Sequence, residues 1–187
     1  MSVFLAQAQT SHANPERNKI GLFYGFGGQS LEFVKLDLNY QYDIRQIEIQ
    51  YSYKLFPGRI LDFDVLVSPQ INLSRYRNEV YDGIEIQGAE WGFAAGIAPS
   101  LHSEDQGIAI YLLLSTGPMY ITGSPERQSR GINFSSNFMT GINVHVLKNM
   151  DLDFRTGFRH LSNANIRYPN GGLNNLIWSV GLNYALR

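Results

Sequence analysis

The chain has 187 residues, enough for one domain with a sizeable core. Its formal net charge is −1, so it lacks the basic surface a nucleic-acid partner needs, and the absence of cysteine excludes disulfides, thiolate metal sites and a cysteine nucleophile. No run of about 18 apolar residues exists, which excludes a transmembrane helix. A membrane β-barrel stays open, since its alternating strands average to a modest hydropathy, here −0.18.

In chain order, residues 1–17 read as a signal remnant or a disordered tail. Val3-Phe4-Leu5 before Ala6-Gln7-Ala8 has the form of a signal-peptide end, whereas Ser11-His12-Ala13-Asn14-Pro15 suits an unstructured segment. From there to the C-terminus a single barrel domain, 18–187, is expected, because apolar residues recur at every second position and no segment keeps a helical period. The segment from Ile20 to Phe26 precedes, or continues into, a first strand carrying Val34, Leu36, Leu38, Tyr40 and Tyr42, and the shared parity allows one continuous element. Ile47, Ile49, Tyr51, Tyr53 and Leu55 then alternate with polar residues, as do Leu61, Phe63, Val65, Val67 and Ile71. Trp91, Phe93, Ala95 and Ile97 form the next apolar face, followed by Ile108, Ile110, Leu112 and Leu114. Ile132, Phe134, Phe138, Ile142, Val144 and Val146 oppose Asn133, Ser135, Asn137, Gly141, Asn143 and His145. Leu152, Phe154 and Phe158 oppose Asp151, Asp153, Arg155 and Arg159, and the last strand sets Leu176, Trp178, Val180, Leu182, Tyr184 and Leu186 against small and polar residues, with Ile177 as its one bulky exception.

The connections alternate in length. Pro57-Gly58, His102 to Gln106 and Lys148-Asn149 are short; Arg77 to Gln87, Gly123 to Arg130 and Asn163 to Gly172 are longer and polar. Short turns at one end and longer loops at the other, with eight strands, describe an all-β, antiparallel transmembrane barrel of the bacterial outer membrane. Volume decides which face points out. An eight-stranded interior is filled by side chains or holds one small ligand. The large apolar face would overfill it, while the Gly, Ala, Ser, Asn and charged face fits, so a soluble ligand-carrying barrel is disfavoured. Ser179-x-Gly181-x-x-Tyr184-x-Leu186 also resembles the C-terminal assembly signal of bacterial barrels, although this chain ends in Arg187 rather than an aromatic residue.

One segment carries chemistry. His160 and Ser162 stand two apart at the end of a strand, so their side chains share a face, and an imidazole beside a hydroxyl is the minimum for a base-activated serine. Parity puts the pair on the lipid side near the outer rim. The bland alternative is a solvated rim with no chemistry, since polar groups aimed at hydrocarbon need partners or a purpose. Asp153, Arg155 and Arg159 read as a structural ion network in the lumen. The four histidines, His12, His102, His145 and His160, lie on separate elements without ligand spacing, so no metal or other cofactor is implied.

Gly157-Phe158-Arg159-His160-Leu161-Ser162-Asn163-Ala164, followed by Pro169-Asn170-x-Gly172, resembles the signature of the PagL family of outer-membrane lipid A 3-O-deacylases. Gly28-Gln29-Ser30 and Ala98-Pro99 are similar to that family more weakly. The resemblance implies an eight-stranded barrel that hydrolyses the ester-linked 3-hydroxyacyl chain at the 3 position of lipid A. It implies Ser162 as nucleophile, His160 as general base, and Asn163 and Asn170 as oxyanion or substrate-positioning donors. The family's acidic third member falls at Asn174, a departure: an amide orients an imidazole but does not stabilise its charge. Parity and strand pairing lead us to expect Asn174 beside His160, bonded to the ring nitrogen that does not face Ser162. Partners expected on this reading are lipid A or lipopolysaccharide as substrate and outer-membrane lipids, with no nucleic acid; a homodimer is compatible with it. The competing reading is a non-enzymatic barrel, an adhesin or structural envelope protein; the ordinary loop lengths argue mildly against the adhesin.

Overall fold

A computed structural model describes residues 17–29, 39–78, 84–104, 107–122, 124 and 127–186. Within them lie eight strands: β1 (Asn18–Gly28), β2 (Tyr40–Phe56), β3 (Leu61–Asn78), β4 (Glu85–His102), β5 (Ile108–Ile121), β6 (Gly131–Leu147), β7 (Met150–Ser162) and β8 (Leu173–Leu186). Each pairs antiparallel with its sequence neighbours, and β1 pairs with β8 to close the barrel. Closure leaves no strand edge, the condition for spanning hydrocarbon with strands.

Register sets the tilt. Following paired residues once round, from Met150 through Tyr184, Ile20, Tyr51, Val67, Ala95, Thr116 and Ser136, returns to β7 at His160. Positions 150 and 160 differ by ten residues, the shear of the barrel. With eight strands, about 3.3 Å of rise per residue and about 4.8 Å between strands, that shear tilts the strands by about 40°.

Apolar side chains cover the outside: Leu22 is 60% exposed, Ile71 62% and Phe138 55%. Such a surface is stable only against lipid. The lumen is filled by paired charges. Arg159 Nη2 meets Glu90 Oε2 at 2.5 Å, and Asn72 Nδ2 donates to the same oxygen at 2.7 Å. Arg155 Nη2 meets Glu48 Oε1 at 2.8 Å while its guanidinium lies 3.8 Å from the Phe23 ring centroid. Towards the short turns, Asp62 joins Lys54 and His102, and Asp151 joins Lys19 and His145, around a cavity of about 520 Å³.

The first hairpin differs from the alternation reading. Residues 40–42 open β2 rather than closing a first strand, and β1 is a separate element; residues 30–38 lie outside the described residues. Tyr40, Tyr42 and Ile44 point inward, each 2% exposed, while Arg45 stands on the lipid side between Phe26 and Leu73. The lumen turns apolar at its outer end, where Tyr40, Tyr42 and Tyr76 pack with Leu161 and Leu173. Apolar residues therefore change face along β2. The expected signal remnant or tail falls on residues 1–16, outside those described, apart from Arg17, whose carbonyl accepts from Lys54 N at 2.8 Å.

Candidate active site

β7 rises from the short turn at Lys148-Asn149 and carries Thr156, Phe158, His160 and Ser162 outward; His160 is exposed and Ser162 half-buried. β8 descends beside it, and the pairing sets Asn174 directly opposite His160. Paired positions in adjacent antiparallel strands hold their side chains about 5 Å apart. His160 Nδ1 and Asn174 Oδ1 meet at 2.8 Å. An amide oxygen only accepts, so Nδ1 carries the hydrogen and Nε2 keeps its lone pair. That tautomer is the one a general base requires. Ser162 follows on the same outward face.

The other two predicted positions build the loop between β7 and β8. Asn163 is 1% exposed; its amide donates to Ser129 Oγ at 2.7 Å and to Arg167 O at 2.5 Å, which engages both hydrogens. Asn170 Oδ1 accepts from Asn163 N at 2.9 Å and from Gln128 Nε2 at 3.0 Å, and its Nδ2 donates to Asn165 Oδ1 at 2.8 Å. Asn170 thus retains one amide hydrogen, and Asn163 retains none on its side chain. The turn between them holds Ala164 and Asn165 at φ 51° and 62°, the left-handed region that most side chains avoid.

Several supporting residues escaped the sequence reading. Tyr40 Oη accepts the Asn174 main-chain N–H at 3.0 Å, and the Arg127 guanidinium lies 4.0 Å from the Tyr40 ring centroid. Arg127 Nε and Nη2 donate to the carbonyls of Gly172 and Gly171 at 2.9 and 3.0 Å. Gln128, 1% exposed, accepts from Gly172 N at 3.0 Å. Gln29 donates to Asn174 O at 3.4 Å and accepts from Tyr42 N at 2.8 Å. Together they fix the point where the chain enters β8, and hence Asn174. Of these only Gln29 had a sequence signal, through the weak Gly28-Gln29-Ser30 likeness.

The family model for lipid A 3-O-deacylase (PagL) matches residues 45–183, most of the chain. The chain belongs to the PagL family. That family is one of outer-membrane lipid A deacylases, which are esterases, and the chain is accordingly a bacterial outer-membrane barrel. Among solved structures, the outer-membrane enzyme PagL superposes with a TM-score of 0.55 at 13% identity, covering 90% of this chain and 99% of that one. Neisserial surface protein A gives 0.57 at 14%, covering 90% and 97%, and OprG from Pseudomonas aeruginosa 0.50 at 6%, covering 90% and 95%. At such identities these likenesses show the barrel fold. No curated protein matches the chain in sequence.

Proposed function

We propose that this PagL-family barrel hydrolyses the ester-linked 3-hydroxyacyl chain at the 3 position of lipid A, within the outer leaflet, by a serine–histidine mechanism. The 2.8 Å contact between His160 Nδ1 and Asn174 Oδ1, on the lipid-facing side and one step from Ser162, is the observation that carries the reading. Ser162 Oγ attacks the ester carbonyl carbon as its proton passes to His160 Nε2. The sugar oxygen then leaves with that proton, and the acyl group remains on Ser162. Water attacks the acyl-enzyme, again giving its proton to Nε2, and the fatty acid departs as Ser162 recovers its hydrogen. The remaining Asn170 amide hydrogen suits the oxyanion, with Asn163 holding Asn170 in place through its main-chain N–H. Asn174 orients the imidazole and fixes its tautomer without adding charge.

A position at the rim serves this chemistry, because acyl chains stay in the bilayer while water reaches the ester. The test is mass spectrometry of lipid A from cells that express the wild-type chain, Ser162→Ala or His160→Asn. Wild type should release the 3-linked chain and both variants should leave it in place, although each still forms a barrel. The double variant should be no worse than either single one, since the two residues act as a unit. Full deacylation by Ser162→Ala would overturn the mechanism.

A further inference from the structure

One register line crosses the lipid face beside the catalytic pair. It runs Thr116 on β5, Ser136 on β6, His160 on β7 and Asn174 on β8, each residue paired with the next. Thr116, Ser136 and His160 are exposed on the hydrocarbon side, between Phe134 and Phe138 on β6 and above Leu114 on β5. With strands tilted by about 40°, each step from β7 towards β5 descends about 3 Å into the bilayer. A polar track therefore leads from the imidazole downward, in the direction an acyl chain takes.

The hydroxyls on this face fall into two groups. Thr140 Oγ1 donates to Tyr111 O at 3.2 Å and Thr156 Oγ1 to Ile177 O at 2.9 Å, so neighbouring carbonyls engage both hydrogens. Thr116 Oγ1 and Ser136 Oγ bond each other at 3.1 Å. Two hydroxyls carry two hydrogens, and the mutual bond uses one. The other has no acceptor among the described residues, and acyl chains supply none. A polar group turned to hydrocarbon with an unused donor is costly unless a ligand completes it.

We infer that the Thr116–Ser136 pair is a specificity subsite that binds the hydroxyl carried near the carbonyl of the departing acyl chain. The inference rests on the esterase reading given above. An ester carbonyl at Ser162 places a hydroxyl on the third acyl carbon a few ångströms further down the chain, and Ser136 lies one strand from His160, about 5 Å between paired side chains. The substrate hydroxyl accepts the spare hydrogen and donates its own to the pair. A chain without that hydroxyl leaves the donor unmade. Sites that hydrogen-bond a substrate hydroxyl discriminate against the analogue lacking it, because their polar groups are then unpaired.

The experiment compares two lipid A substrates in detergent micelles, alike except that the chain at the 3 position is 3-hydroxylated or unsubstituted and of equal length. Released fatty acid gives kcat/KM for each. Wild type should favour the hydroxylated chain by about tenfold, the factor that one net hydrogen bond supplies. The Thr116→Val/Ser136→Ala variant should bring the ratio to within about twofold of unity. Thr140→Val/Thr156→Val, whose hydroxyls serve the backbone, should keep the wild-type ratio. Should the first double variant not insert, Ser136→Ala alone reads the same ratio. Equal rates on both substrates by wild type, or an undiminished preference in the Thr116/Ser136 variant, would overturn the subsite while leaving the esterase intact. Hydrolysis of neither substrate by wild type would overturn the esterase reading, and the subsite with it.

Discussion

Gly172 lies against the edge of the His160 imidazole: a Cβ at position 172 would stand 2.9 Å from Cε1. The backbone there has φ 69°, so a side chain would also be strained by its own conformation. Gly172 thus forms one wall of the space in which the ring is held, at the Cε1 edge between the two nitrogens, while Asn174 holds Nδ1.

Gly172→Ala should therefore displace the imidazole. We expect deacylation to fall at least tenfold, with a loss of about 1–2 kcal/mol in stability from the left-handed backbone alone. Steady-state kinetics in micelles beside a thermal melt of the refolded barrel checks this. Unaltered kcat in a folded Gly172→Ala protein would show that the contact does not position the ring.

In the lumen, Arg159 and Glu90 are 1% and 0% exposed and 2.5 Å apart. Removing one partner of such a buried pair leaves an uncompensated charge. Glu90→Leu or Arg159→Leu alone should cost about 3–5 kcal/mol, and the double replacement less than either single one. Urea unfolding in lipid vesicles measures it, and strict additivity of the two changes would argue against the pairing. Arg159 also donates to Ser135 Oγ at 3.0 Å and Asn175 Oδ1 at 3.2 Å. It therefore ties β6, β7 and β8 together one residue below the His160–Asn174 pair.

On the outside, Val180 lies midway along β8 between Asn174 and Leu186 and is 41% exposed. Val180→Arg should destabilise the barrel by about 2–4 kcal/mol, the range for a cation at the bilayer midplane. The same change nearer the rim should cost less. Equal costs at Val180 and at Ile132, exposed at the outer end of β6, in vesicle refolding would contradict the membrane placement.

The outward faces of β6, β7 and β8 were legible because most of their apolar residues keep one parity, against a lumen side that is largely polar apart from Met139, Leu161, Leu173 and Ile177. That same parity put Asn174 and His160 on one face, and strand pairing brought them into contact. β2 was misread for a physical reason. Its outer half packs Tyr40, Tyr42 and Ile44 into an apolar end of the lumen, so hydrophobicity ceases to mark the lipid side, and Arg45 takes the outward position. Tyr40, Arg127 and Gln128 were illegible as parts of the site. Their contacts join loops distant in sequence, and nothing in local pattern records that Tyr40 Oη will meet Asn174 N. Asn163 stands out by its place in the motif, but its amide is engaged within the loop through Ser129 and Arg167, contacts that no local pattern records.

Asn174 offers the sharpest test, since the family's pattern has an acid there. The amide oxygen at 2.8 Å holds Nδ1–H and so fixes the tautomer, a role that Ala cannot fill and Glu can. Asn174→Ala should lower kcat by about tenfold or more with little change in KM, because the residue orients the base and does not bind the lipid. Asn174→Glu should raise kcat, since a carboxylate stabilises the imidazolium that forms as Ser162 attacks. The sign of the pH effect follows. Only neutral imidazole accepts the serine proton, and a neighbouring carboxylate holds the ring's added proton more tightly. The acid limb of the rate profile should therefore move to higher pH in Asn174→Glu, and its advantage should vanish on the acid side. Rate profiles for wild type, Asn174→Ala and Asn174→Glu on one micellar substrate decide the matter. An Ala variant with wild-type kcat, or a Glu variant whose acid limb moves to lower pH, would remove Asn174 from the mechanism.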